Sequence, residues 1–231
     1  MDNKLNFPKP KGQNTDNSKK IILDLCGGTG SWSRPYKEAG YDVRVITLPE
    51  YDVRQWKYDN RLNNIPRNLI HGILVAPPCE QFSFVRTTPK IPRDLDKGME
   101  IVKACLEIIW ECQTKYTNQH QKLSPLKFWA LENPFFASTK WFLGKPAFVF
   151  QPYEFGDGYK KMTALWGQFN EPKKLDKWVM KNNKKFDQLL MSEIKELKSP
   201  INDFPGNPMN RKELRAITPP LFAQAFYEAN K

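Results

Sequence analysis

Six short apolar runs, each closed by glycine, proline or polar residues, limit the folds open to this chain. They are IILDLC, YDVRVITL, GILVA, FWALE, AFVF and TALWG, beginning at residues 21, 41, 72, 128, 147 and 163. The first, third and fourth are nearly continuous in apolar character, as expected of strands covered on both faces rather than strands with one face in water. Helical patterns lie between them. GGTGSWSRPYKEAG supplies a turn and a short helix after the first strand. DLDKGMEIVKACLEIIWECQ, residues 94–113, places Leu95, Met99, Val102, Leu106, Ile109 and Cys112 at helical spacing, which predicts an amphipathic helix. TPPLFAQAFYEAN predicts a last helix, with Thr218 as cap, Pro220 in the first turn, and a stripe of Leu221, Phe222, Ala225 and Phe226. Strands alternating with helices predict an α/β fold with a largely parallel sheet.

Two segments stand outside this alternation. Residues 1–19 are polar and basic, without apolar periodicity, and read as a disordered basic tail. Residues 168–210 are rich in Lys, Asn and Pro, with Lys173, Lys174, Lys177, Lys181, Lys184 and Lys185 close together, and read as a small irregular insertion. The ordered domain is therefore expected over 20–167 and 211–231. The formal net charge of +11 on 231 residues points to a polyanionic partner.

The four cysteines form no CxxC pair, and the two histidines are far apart in sequence, so neither a zinc site nor another metal centre is expected. Cys105 and Cys112 lie seven apart on the long helical pattern and read as core residues. No disulfide framework, signal peptide or membrane-length apolar run is evident, which predicts a cytoplasmic protein with reduced thiols.

Three strand ends carry chemistry. DLCGGTGSW follows the first strand, where glycines allow a ligand close to the backbone and the coming helix offers free N–H groups. The spacing is neither GxGxxG nor a phosphate loop, so alone it fits packing as well as ligand binding. VAPPCEQFSF ends the third strand: Pro77 and Pro78 restrict the backbone and hold the Cys79 thiol just beyond the apolar run. A buried structural cysteine belongs inside such a run, whereas the carboxyl ends of the strands are the functional rim of an open α/β sheet. Arg86 and Arg93 on the following loop are candidates to activate a thiolate. FWALENP sets Glu132 on the same rim, where a plainer role is to cap a helix or meet an arginine. Glu50 and Asp52, after the second strand, are acidic residues placed to meet a ribose or an adenine.

Taken together, DLCGGTGSWS, APPCEQFSF, LENP, EFGDGYKKMTALWG and the ending RAITPPLFAQAFYEANK resemble the motifs of the S-adenosylmethionine-dependent DNA cytosine-5 methyltransferases, over residues 21–167 and 211–230. The layout resembles the short forms encoded by bacteriophages and prophages, which would place it in a bacterial host's cytoplasm. The resemblance implies a Rossmann-like class I methyltransferase fold with a short basic recognition insertion at 168–210. It implies that Cys79 adds to carbon 6 of a flipped cytosine, with Glu132 contacting ring N3. It implies S-adenosylmethionine as cofactor, lined by Leu25, Gly27, Gly28, Gly30 and Trp32, with Asp52 at the adenine amine, Pro77 beside the adenine, and Thr218 in the last motif where Asn is usual. Its implied partner is double-stranded DNA, contacted by a monomer. Phosphate contacts are expected from Arg86, Arg93, Lys160, Lys173 and Lys174.

The chain departs from the family at several positions. Thr47-Leu48 stands where a ribose-binding acid is common, and Glu50 is the nearest substitute. ENP replaces ENV. The usual Gln and two Arg become Tyr159, Lys161 and Thr163, of which Lys161 retains one positive charge for the base or Cys79. A methyltransferase acting on RNA or on a pyrimidine nucleotide, and a DNA-binding decoy of the same fold, are the alternatives.

Overall fold

The computed structural model describes residues 16–84, 92–114, 126–176, 214 and 216–231. Six strands form one sheet: β1 Ile21–Leu25, β2 Asp42–Ile46, β3 Ile70–Val75, β4 Phe128–Pro134, β5 Phe148–Phe150 and β6 Thr163–Gln168. Their order is β2-β1-β3-β4-β6-β5. The first four are parallel neighbours, and β6 runs antiparallel to both β4 and β5. This is the largely parallel α/β arrangement expected from the alternating runs, and the Rossmann-like fold that the resemblance implies. The antiparallel β6 was not legible from its apolar run.

Alternate strand residues face two cores. Ile21, Leu23 and Leu25 with Ile73, Val75 and Leu131 join one apolar cluster. It is completed by α3, Leu95–Thr114, through Val102, Cys105, Ile108, Ile109 and Cys112. Ile22, Leu74, Phe128, Ala130 and Leu165 join the other. That side is covered by α1, Arg34–Glu38, and the C-terminal helix α5, Pro220–Asn230, and includes Trp32. Short helices α2, Asn60–Asn63, and α4, Thr139–Leu143, complete the described set. Two covered faces explain the near-continuous apolar runs.

Phe222 of α5 stacks on Phe150 at 3.9 Å between ring centroids and 13° between planes, while Trp32 meets Phe226 edge-on at 5.4 Å. Burial of each such ring contributes on the order of 2 kcal/mol, so α5 is bound to the glycine turn side as well as to the sheet edge.

Several local expectations shift. The buried stripe of α3 is Gly98, Val102, Cys105, Ile108, Ile109 and Cys112, so Leu95 is left exposed and Met99 and Leu106 only partly covered. Cys105 and Cys112 are core residues, as their spacing indicated. Thr218 does not cap α5 with its side chain: Pro219 holds the cap position, and the Thr218 carbonyl accepts from the Ser31 hydroxyl at 2.6 Å instead. Asn17–Lys19, assigned to the tail, form a 3-10 turn fastened by Asn17 Nδ2 donating to the Ala39 carbonyl. Residues 1–15 lie outside the described residues, as does the expected insertion beyond Asp176.

Candidate functional site

The chain leaves β1 for β2 on one side and then crosses to β3 on the other, so the sheet reverses its winding between β1 and β3. In open α/β sheets the crevice outside the strand carboxyl ends at such a point is where ligands bind. The glycine turn leaves β1 there, and the Pro-Pro-Cys loop leaves β3. The strand ends are level, with Leu25 paired to Ile46 and to Val75, and Val75 to Leu131. Two backbone bonds extend the alignment past the strands: Cys26 N–H to the Ile46 carbonyl at 2.8 Å, and Ala76 N–H to the Leu25 carbonyl at 3.0 Å.

The glycine turn owes its shape to an acid beneath it. Asp24 is completely buried, and its Oδ2 accepts from the Ser33 hydroxyl at 2.5 Å. A Cβ on Gly27 would lie 2.3 Å from the Asp24 carboxyl carbon, so only glycine passes over it unshifted. Gly28, at φ +55, is exposed, and a Cβ there would meet nothing within 4 Å. The turn thus presents open backbone toward the crevice. Burial pushes the Asp24 carboxyl up to about 6, with the Ser33 bonds acting in the opposite direction.

The two other rim motifs are fastened to each other. Asn133, fully buried, donates from Nδ2 to the Pro77 carbonyl at 3.2 Å and accepts at Oδ1 from the Thr139 hydroxyl at 2.8 Å. Phe82 and Ser83 N–H close a turn onto the Cys79 carbonyl at 3.0 and 2.9 Å. Ser83 then bridges Ala137, and Phe84 N–H bonds the Phe136 carbonyl at 3.0 Å. Cys79, half-buried, is therefore held from both sides: Pro77 is tied to β4, and the residues after Cys79 to the chain beyond β4.

Glu132 lies in β4 immediately before Asn133. Its Oε1 is buried and has no hydrogen-bond partner among the described residues. Burial raises the carboxyl above its ordinary value, and the nearby Lys161 ammonium acts in the opposite direction. Lys161 Nζ also donates to the Ile217 carbonyl at 3.4 Å, next to Thr218. Tyr159 is buried nearby, its hydroxyl raised by burial and then by the Asp157 and Glu132 charges. Thr163 turns its hydroxyl to the Lys161 carbonyl at 2.7 Å. Tyr159 and Lys161, on the approach to β6, thus stand close enough to Glu132 to interact with its charge, and Thr163 opens β6 opposite Pro134.

The remaining expected residues are dispersed. Leu25 and Trp32 are buried in the two cores, with Trp32 Nε1 lacking a hydrogen-bond partner among the described residues. Pro77 is buried and Glu50 exposed. Asp52 accepts three bonds from the Arg54 side chain and one from its N–H, which hold its carboxyl below the usual range. Arg93 donates to the Gln81 carbonyl at 3.2 Å, fastening the far end of the Cys79 loop. Lys173 is exposed, but Lys174 is paired with Glu154 at 2.9 Å and bonds the Val149 carbonyl. Lys160 is half-buried, and Arg86 lies outside the described residues. Among the described residues no group of three or more metal-ligating side chains occurs, and no helix is long and apolar enough to cross a membrane.

Sequence reasoning passed over Asp24, Ser33 and Thr139, and met Asn133 only as part of LENP, without its bond to Pro77. Asp24 carried a signal, as an acid inside an apolar strand run; Ser33 and Thr139 emerge only from contacts.

No family model and no curated protein matches the chain. Among solved structures, it is similar to the Entamoeba histolytica methyltransferase EhMeth, at 10% identity over 71% of this chain and 57% of that one, with a TM-score of 0.34. It is similar also to the S. pombe Dnmt2 methyltransferase, at 13% identity over 83% of this chain and 61% of that one, with a TM-score of 0.33. The chain spans less than two thirds of the length of either.

Proposed function

We propose that the protein transfers a methyl group from S-adenosylmethionine to carbon 5 of cytosine in DNA. The observation that carries this reading is the buried carboxyl oxygen of Glu132, without a hydrogen-bond partner among the described residues, on a strand end fastened through Asn133 to the loop that holds Cys79. A buried polar atom without a partner costs on the order of 1–3 kcal/mol, and a substrate edge that offers hydrogen-bonding groups removes that cost. The edge of cytosine with N3 and the exocyclic amine is such a partner.

The residues divide the work as follows. The Cys79 thiolate adds to carbon 6, and the pyrimidine electrons move toward N3, which takes a proton from Glu132. Burial favours the protonated carboxyl that this step needs. Carbon 5 is then enamine-like and nucleophilic. After methylation a base removes the carbon 5 proton, the carbon 5–carbon 6 double bond re-forms as the thiolate leaves, and N3 returns its proton to the Glu132 carboxylate. Lys161 keeps a positive charge beside Glu132, stabilising the carboxylate between proton transfers.

S-adenosylmethionine, when bound, supplies an electrophilic methyl on a sulfonium. The residues present suit it: Gly27 and Gly28 give a backbone surface without side chains at the switch crevice, over the buried Asp24, with Pro77 on the adjoining strand end. The duplex must surrender its target base for a buried carboxyl to reach it, and the net charge of +11 suits a polyanion.

The test is methyl transfer from labelled S-adenosylmethionine to unmethylated duplex DNA, with base-resolution sequencing and Cys79→Ser as control. Label at cytosine carbon 5, lost in the variant, together with a covalent adduct to a 5-fluorocytosine duplex, is the expected result. Cofactor binding without label on any DNA would overturn the DNA reading.

A further inference from the structure

Beside the Cys79 turn the surface carries an aromatic group that neither core uses. Phe84, Phe136, Trp141 and Phe142 are 41%, 52%, 69% and 48% exposed. Phe84 and Trp141 form a pair, and the backbone places Phe136 and Phe142 on the same short segments. The Phe84 and Trp141 ring centroids are 5.4 Å apart, and Phe142 packs edge-on against the buried Phe82 at 6.4 Å. The backbone fixes them: Phe84 N–H bonds the Phe136 carbonyl, Ser138 N–H the Phe82 carbonyl, and Trp141 N–H the Ser138 carbonyl, all at 2.8–3.0 Å. Exposed rings held this firmly lose little freedom when a flat partner stacks on them.

The charge around the group selects the partner. From Asn133 to Tyr153 the chain has Lys140 and Lys145 and no acidic residue. Lys140 Nζ lies 5.3 Å from the Phe135 ring centroid, and Phe135 meets the exposed Phe136 edge-on at 5.2 Å. Glu80 on the adjoining turn and Asp94 beside Gln81 are acids nearby, and Lys140, Lys145 and Arg93 outweigh them. Exposed rings with interspersed cations are how proteins hold unpaired bases, the rings stacking on bases and the cations meeting phosphates. A fully paired duplex offers no free base face.

We infer that the Phe84–Trp141 platform binds unpaired nucleotides of the DNA strand that bears the target cytosine, so that the strand is held open beside Cys79. This rests on the DNA reading above for the identity of the strand. A protein of this kind acts on cytosine in an opened or single-stranded segment in preference to a closed duplex.

The experiment compares binding of the full-length protein to one dye-labelled 20-nucleotide DNA as a single strand, the same sequence as a duplex, and the same sequence as RNA, at fixed salt. The wild type is expected to bind the single strand about tenfold more tightly than the duplex. Trp141→Ala and Phe84→Ala should each weaken single-strand binding by about tenfold while changing duplex binding less than twofold. Trp110→Ala, an equally exposed tryptophan on α3 (67%), should change neither. The inference is overturned if the wild type binds the duplex as tightly, if Trp141→Ala weakens both forms equally or neither, or if RNA is preferred. It is overturned too if light scattering shows a dimer that Trp141→Ala dissociates, since a second copy then covers the rings. The binding readout needs no chemistry. A protein that transfers no methyl group yet keeps the Trp141-dependent preference would sink the catalytic reading and overturn the assignment to the target strand, leaving a platform for unpaired DNA.

Discussion

Asn133 Nδ2 donates to the Pro77 carbonyl at 3.2 Å, across 56 positions of sequence, and so joins the loop that carries Cys79 to the strand that carries Glu132. The bond is buried, and the Asn133 side chain is held at its other end by Thr139. Replacing Asn133 with Ala leaves two buried polar groups unbonded, at about 1–3 kcal/mol each. For a chain of this size each kilocalorie lowers the melting temperature by about 2–4 °C. Asn133→Ala should therefore melt at least about 4 °C lower by calorimetry. It should also transfer methyl groups at least tenfold more slowly at a temperature where it remains folded. Thr139→Val removes only the outer bond and should keep most of the transfer rate. Equal losses of rate in the two variants would show that the Asn133–Pro77 bond does not position the loop.

Gly27 and Asp24 are linked by exclusion rather than attraction. A methyl group at position 27 collides with the Asp24 carboxyl at 2.3 Å, and the acid cannot swing away without leaving Ser33. Overpacking of this kind costs about 1–3 kcal/mol, so Gly27→Ala should lower both the melting temperature and the affinity for S-adenosylmethionine measured by calorimetric titration. Asp24→Ala opens the space. Adding it to Gly27→Ala should restore part of the stability, a coupling of at least about 0.5 kcal/mol. Additive losses would mean that the two side chains do not meet.

Asp24 also sets a pH dependence. Its folded value of about 6 lies above the ordinary 3.8, so between these values the folded chain binds more protons than the unfolded one. Stability from this group is then fully present below 3.8 and is lost as pH rises through 6. At about 1.4 kcal/mol per pH unit, the loss is about 3 kcal/mol. Asp24→Asn cannot ionise. Its melting temperature relative to wild type should rise as pH goes from 4 to 7 and then level off. A constant difference across that range would place the carboxyl's titration elsewhere.

Much of this architecture is legible in the apolar runs, because a strand covered on both faces cannot hide its composition. IILDLC, GILVA and FWALE each appear as strands within two residues of these limits. The antiparallel course of β6 is not legible, since an apolar run carries no direction. The buried face of α3 was misjudged because small residues count for little in a hydrophobic stripe: Gly98 packs against Phe82, which takes the space a side chain would need. At the site, Cys79 and Glu132 stand out in sequence because proline and a strand end frame them. Asn133 is visible beside Glu132 in LENP, but its bond to Pro77, and Thr139's bond to it, are not. Asp52 is the reverse case. Its sequence position suits an adenine, and in the structure its carboxylate is engaged by Arg54, an arginine two residues away that no strand pattern singles out.

Glu132 combines a structural cost with a chemical use, and the two separate in one variant. Its carboxyl is raised by burial, so the folded chain loses stability as pH climbs above the ordinary 4.5 toward the folded value, and Lys161 limits that loss. Glu132→Gln removes the ionisable group with little change of shape. Its melting temperature at pH 8 should equal or exceed that of wild type, while the transfer rate falls by about 10²–10⁴, the usual worth of a positioned acid. Lys161→Met should do the opposite to stability, because the buried carboxylate loses a cation that acts on it: the decline with rising pH becomes steeper, and adding Glu132→Gln flattens it again. Retention of transfer within a few-fold in Glu132→Gln would remove the acid from the mechanism. A melting curve for Lys161→Met that follows wild type at every pH would mean that the lysine does not act on Glu132 at all.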